Sequence, residues 1–156
     1  MQNMNMNMKT DLEVIEGALA LIELDNGWTQ GTYCRDADGC EVLPDVDAPG
    51  EWVRLRTEHV GDGGFRAHTD TGAKPCSFCP QGALRAAAGC WSFGQPNAEQ
   101  ELQIDRLEHL LLELANSVAL PGWPSLPAFN DDARTTQADL VLVFKRAAAH
   151  LEAQQR

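Results

Sequence analysis

The sequence has no apolar run of bilayer-spanning length. Its first ten residues, MQNMNMNMKT, contain neither the apolar stretch of about seven residues nor the small-residue cleavage site that a secretory leader needs. A soluble, cytoplasmic protein with no membrane association is the expectation. Basic charge is scarce as well: twelve Lys and Arg against twenty-three Asp and Glu leave a formal charge of −11. That sign opposes nonspecific attraction to nucleic acid and anionic lipid, so direct nucleic-acid binding is disfavoured. No internal repeat is visible. The five cysteines are an odd number, and in a reducing compartment they read as thiols or metal ligands rather than disulfides.

What is present suffices for one domain: 156 residues, 44% of them hydrophobic. The Met/Asn-rich residues 1–9 read as a disordered tail, and 10–156 as a single globular domain. Thr10 and Glu13 have capping-box spacing, and Leu12, Ile15, Leu19 and Ile22 follow with helical period to a stop near Asn26-Gly27. Asp38-Gly39 predicts a hairpin over about 29–43, and Trp52 to Arg56 a third strand, while Gly61, Gly63 and Gly64 mark a mobile loop. Pro80 suits a first helical position, and the helix it opens ends at Gly89. Ile104, Leu107, Leu111, Leu114 and Val118 define a longer helix over roughly 97–118, expected as the core spine. The proline-rich LPGWPSLPAFNDD predicts a rigid loop anchored by Trp123 and Phe129, and a last helix runs over about 135–153. Trp28, Trp52 and Trp91 are likewise assigned to packing. The fold class is α+β and mainly helical, about four helices with a small antiparallel β-hairpin or three-stranded sheet.

Three segments, GWTQGTYCRDADG, FCPQGALRAAAG and PAFNDDARTTQADLVLVFKRAA, together resemble an uncharacterised family of small bacterial and phage proteins. The matching residues are Trp28, Thr29, Gln30, Arg35, Asp36, Asp38, Gly39, Cys79, Gly82, Ala83, Leu84, Asn130 and Asp131. The sequence departs from the pattern at Phe129, where Trp is usual, in its long Pro44 to Lys74 insert, and in the cysteines at 34, 40 and 76. The resemblance brings no established activity.

The strongest chemical signal is KPCSFCPQG. Cys34, Cys40, Cys76 and Cys79 could supply the four soft ligands of a structural zinc, with His59 or His68 as substitutes. A redox pair would need a βαβ framework that the flanking segments do not suggest. Cys79 before Pro80 occupies a helix cap, where the dipole and free N–H groups would lower a thiol pKa, which makes it the candidate nucleophile of a thiol enzyme. The bland reading is a small buried thiol that starts the helix, with Gly82 permitting close approach of a neighbouring backbone. RDADGCE has too few donors before its Gly for an EF-hand and reads as an Asp-stabilised turn.

Asp36, Asp38, Glu41, Asp45, Asp47 and Glu51 form an acidic run answered only by Arg35. Such a run is usually a solvated face, but projected together it could imitate a row of phosphates and engage a protein partner with a basic surface. The preferred expectation is a nonenzymatic accessory protein acting by protein–protein contact. With the phage and bacterial resemblance, its specific form is an inhibitor of a nucleic-acid-handling defence complex, anti-CRISPR-like. A thiol enzyme centred on Cys79 and a zinc-stabilised module are the alternatives; no cofactor other than zinc is implied.

Overall fold

Thr10 caps the first helix in the way its spacing to Glu13 predicts: the Thr10 hydroxyl accepts the Glu13 N–H, and the Glu13 carboxylate accepts the Thr10 N–H. The structure, a computed structural model, describes residues 8–45, 47–48, 51–89, 98–117 and 122–156. The expected tail, the start and end of the helix predicted over 97–118, and Trp91 fall wholly or largely outside them. Five helices are found among the described residues: α1 (Asp11–Glu23), α2 (Pro80–Ala88), α3 (Ala98–Asn116), α4 (Leu126–Asp131) and α5 (Gln137–Gln154). Five short or medium strands accompany them: β1 (Cys34–Arg35), β2 (Val42–Pro44), β3 (Trp52–Val60), β4 (Gly64–Thr71) and β5 (Ser77–Phe78). The class is α+β and mainly helical, as the sequence predicts. None of the described helices is long and apolar enough to cross a membrane.

The spine is α1, not the longer α3. Val14, Ile15, Ala18 and Ile22 of α1 are fully buried, and the helix packs chiefly on α2 and α5. Its approach to α2 is close, because a Cβ placed on Gly17 would lie 3.1 Å from that of Ala87. α3 lies across α5, α2 and α4 and buries one face, Ile104, Leu107, Leu111 and Ala115. A strong apolar stripe marks a helix with one buried side, but small residues admit neighbours from two directions.

α2 begins and ends where expected. Cys79 caps it, Pro80 opens it, and Gly89 closes it at φ 72°, a left-handed value suited to glycine. α5 is capped by Thr136, which forms a reciprocal box with Asp139, one residue beyond the expected start. The proline-rich segment is only partly the predicted loop, since it contains α4. Ser125 caps α4 and Pro127 sits in its first turn, where the missing N–H costs nothing. Trp123 and Phe129 do pack together, with ring centroids 4.8 Å apart.

The Asp38-Gly39 turn forms, but its two arms belong to different sheets. Arg35 bridges Glu41 across the turn. Beyond that bridge β1 pairs antiparallel with β5, whereas β2 joins a three-stranded sheet of order β2-β3-β4. The third strand is longer than expected, and the glycines expected to mark a mobile loop form the tip of a β3–β4 hairpin. β4 escaped prediction because GFRAHTDT lacks a clear apolar alternation. From Arg56 onward nearly every residue of this ribbon is exposed, so solvent contact on both faces left no burial pattern to read.

The close approach expected at Gly82 is real. The Tyr33 carbonyl accepts the Cys79 N–H at 3.0 Å and lies only 2.1 Å from where a Gly82 Cβ would stand. Gly82→Ala is therefore expected to lower unfolding free energy by about 3 kcal/mol, measured by urea denaturation. A change within experimental error would show that α2 can shift away from Tyr33 at no cost.

Candidate functional site

A cleft of about 370 Å³ opens where this junction meets α4. Its walls are the loop of Gly31, Thr32 and Tyr33, the pair Glu41 and Leu43, the start of α2 at Cys79, Pro80 and Gln81, and Pro127, Asn130 and Asp131 of α4. The segment after α1 reaches α4 through polar contacts across about a hundred residues of sequence. Asn130, 1% exposed, accepts the Trp28 indole N–H at 2.6 Å and donates to the Thr29 carbonyl at 3.1 Å. The Gln30 amide donates to the Asn130 and Asp132 carbonyls, and Asp131 Oδ1 accepts the Gly31 N–H at 2.9 Å. Trp28, Thr29, Gln30, Asn130 and Asp131, all singled out by the resemblance, thus form one network that holds the cleft's loop on α4.

Asp132, next to this network, is held well below the usual carboxylate range by the Arg134 guanidinium and backbone N–H and by the Trp123 indole. It closes the entry to α5 and does not line the cleft.

Cys79 is buried, and its sulfur accepts the Gly82 N–H at 3.3 Å. Burial pushes its pKa up to about 11; the Gly82 and Gln81 N–H groups act the other way, while the carboxylates of Asp131 and Glu108 add to the rise. The helix-end lowering expected from the sequence is present and loses to desolvation. No histidine lines the cleft. His59 and His68 lie on the ribbon, His109 contacts the Asp105 carbonyl, and His150 contacts Gln154.

The other described cysteines differ in burial. Cys34 is fully buried, donates to the Val42 carbonyl at 3.2 Å, and is pushed up to about 12 by burial first and by Cys79 and Glu41 next. Cys40 is half-buried and Cys76 exposed. Among the described residues, no three His, Cys, Asp or Glu side chains gather as a group able to hold a metal ion. Cys34, Cys40, Cys76 and Cys79 are therefore not assembled as the four-sulfur site that the spacing suggested.

The acidic run divides. Asp36 is buried: its Oδ1 accepts the Asp38 and Cys40 N–H groups, and its Oδ2 is ion-paired with Arg54 without an aligned hydrogen bond. Burial opposes its charge, but those N–H groups and Arg54 outweigh it and hold the carboxyl below its ordinary range. Asp38 is exposed and also meets Arg54, at 3.1 Å. Glu41 faces the cleft, while Asp45, Asp47 and Glu51 follow along an exposed or half-exposed stretch. Arg35, expected to answer the run, instead donates to Thr29 Oγ1 and to the Gly39 and Gln30 carbonyls. Arg54 takes that role from a strand whose register was not foreseen.

Tyr33, Gln81 and Pro127 were also missed as cleft residues. Their one signal was lying within three residues of Gln30, Cys79 and Asn130, singled out already. The chain matches the family model described as a family of unknown function (DUF6197) over residues 6–150, and it belongs to that family. No curated protein and no solved structure matches it.

Two outcomes follow from this geometry. Asn130→Ala strands a Trp28 indole N–H and a Thr29 carbonyl and should cost about 3 kcal/mol in thermal or urea unfolding. Cys79 should alkylate about a hundred-fold more slowly at neutral pH than an ordinary exposed thiol, and accelerate as pH rises toward 11. Site-resolved mass spectrometry with iodoacetamide reads both; rapid labelling of Cys79 ahead of exposed Cys76 contradicts a raised pKa.

Proposed function

We propose that this protein is a nonenzymatic binding protein that acts by contact with a basic protein partner, and that its cleft receives a cationic side chain of that partner. The observation that carries the reading is the charge type of the lining: among the described residues, Glu41 and Asp131 are the only Asp, Glu, Lys, Arg or His side chains that line it, and both are carboxylates. Glu41 also belongs to the acidic run, so the cleft is continuous in sequence with Asp38, Asp45, Asp47 and Glu51. Asp36 is left out of the contact surface, because its carboxylate is spent on the turn and on Arg54.

Long-range attraction by a chain of charge −11 would steer a basic partner, and the cleft would supply position. A nucleic-acid-handling protein presents such a basic groove. Occupation of that groove in the cytoplasm, as an inhibitor of a defence complex in the anti-CRISPR manner, is the specific form proposed. A thiol reaction at Cys79 has less support, since a protonated cap with carboxylates for neighbours and no imidazole beside it lacks an activating base.

An arginine-containing peptide serves as the probe. Its affinity should fall as salt is added, and Glu41→Gln should weaken it up to about five-fold. Replacing Asp45, Asp47 and Glu51 by their amides should slow association at low salt with little change in dissociation. Affinity that is indifferent both to salt and to Glu41→Gln would refute the reading.

A further inference from the structure

The β3–β4 ribbon takes no part in the cleft, yet it carries a pattern of its own. Within the three-stranded sheet β4 is an edge, with its outer side unpaired among the described residues. An open edge of this length is a template for another strand. Residues 52–72 hold three arginines, at 54, 56 and 66, and three carboxylates, at 58, 62 and 70. The ribbon is therefore neutral, and the whole formal charge of −11 resides in the rest of the chain. It is an extended surface on which two copies could meet without setting net negative charge against net negative charge.

We propose that two copies of this chain associate by antiparallel pairing of β4 with β4, about a two-fold axis at His68. With that axis, Arg66 of each copy stands opposite Asp70 of the other, on the same face of the joined sheet. Moving the axis one residue in either direction loses both oppositely charged pairs. Arg66 makes no salt bridge among the described residues. Glu58, its cross-strand neighbour, is turned to His68 at 2.6 Å. Arg56 holds Asp70 through Oδ2 at 2.7 Å and reaches Oδ1 only at 3.5 Å, which leaves acceptor capacity on Oδ1 for a second guanidinium. Charges on an edge strand usually deter pairing because a foreign strand does not match them; a second copy about this axis matches Arg66 and Asp70, and sets the two His68 rings, each held by its own Glu58, opposite one another.

The opposite face supports the same occupant. There Phe65, Ala67, Thr69 and Thr71 of β4 lie beside Val53, Leu55 and Thr57 of β3, all without charge. Phe65 is 70% exposed and forms a T-shaped ring contact with His59, centroids 5.3 Å apart. A ribbon with both faces in water is marginal alone, and joining two gives a continuous sheet of six strands with Phe65 opposite Thr71 across the seam.

Sedimentation velocity across a dilution series tests the proposal. The wild-type chain should sediment as a concentration-dependent dimer. Arg66→Asp and Asp70→Arg each set like charges opposite one another at two places and should raise the dimer dissociation constant about ten-fold or more. An equimolar mixture of the two variants should restore association, because each then meets its opposite in the other; circular dichroism confirms that both remain folded. His68→Cys should oxidise to a covalent dimer linked at position 68, which fixes the register even if Asp70→Arg does not fold. A wild type that stays monomeric throughout overturns the proposal, as does a dimer indifferent to Arg66→Asp or a mixture that fails to associate.

Discussion

The arrangement depends on one carbonyl, that of Tyr33. It accepts the Cys79 N–H and occupies the space a Gly82 side chain would need. The same crossing is tied on both sides. Phe78 donates to the Gly27 carbonyl and accepts from Thr29, while Cys76 donates to the Arg35 carbonyl. Residues 27–35 thus wrap the entry to α2, and the curve they must follow leaves Gly31 to Tyr33 as one wall of the cleft. The wall on α4 is then set by Asn130, whose amide uses both its donor and its acceptor on that wrapped segment. A site built in this way is held by backbone contacts and a buried amide, both costly to break.

The shifts of the two buried groups at turns are decided by the charges beside them as much as by the N–H groups they reach. Asp36 and Cys79 are both buried at turns and both face donors, yet they shift in opposite senses. Asp36 has two backbone N–H groups and a guanidinium, enough to outweigh desolvation. Cys79 has the N–H groups of its own helix turn, no cation, and two carboxylates nearby. A helix end alone does not make a thiolate when the surroundings are negative and dry.

What was legible in the sequence follows from this. Caps and stops were legible, because Thr10, Pro80 and Gly89 act within four residues of themselves. The Asp-Gly turn was legible for the same reason, but not the destination of its arms, since strand partners are chosen by distant segments. Gly82 could be read as a close approach, though Tyr33 could not be named as what approaches. Asn130 and Asp131 were visible only through resemblance; no local rule connects them to Trp28 and Gly31. α4 was lost to a rule applied too broadly, as proline excludes a helix interior and not a first turn. Arg54 was lost with the ribbon's register.

The separation of charge from the ribbon bears on how the two surfaces could coexist. An interface placed among Asp38, Asp45, Asp47 and Glu51 would bring like charges within a Debye length of about 8 Å, where screening is incomplete. Pairing through a neutral strand avoids that term and leaves the cleft outside the pairing surface. The segment 44–74 supplies both Arg54, which pairs with buried Asp36, and the neutral edge. One segment of the fold thus secures the turn beside the cleft and, under the pairing proposed, offers a surface on which self-association would not compete with the acidic face proposed to meet a basic partner.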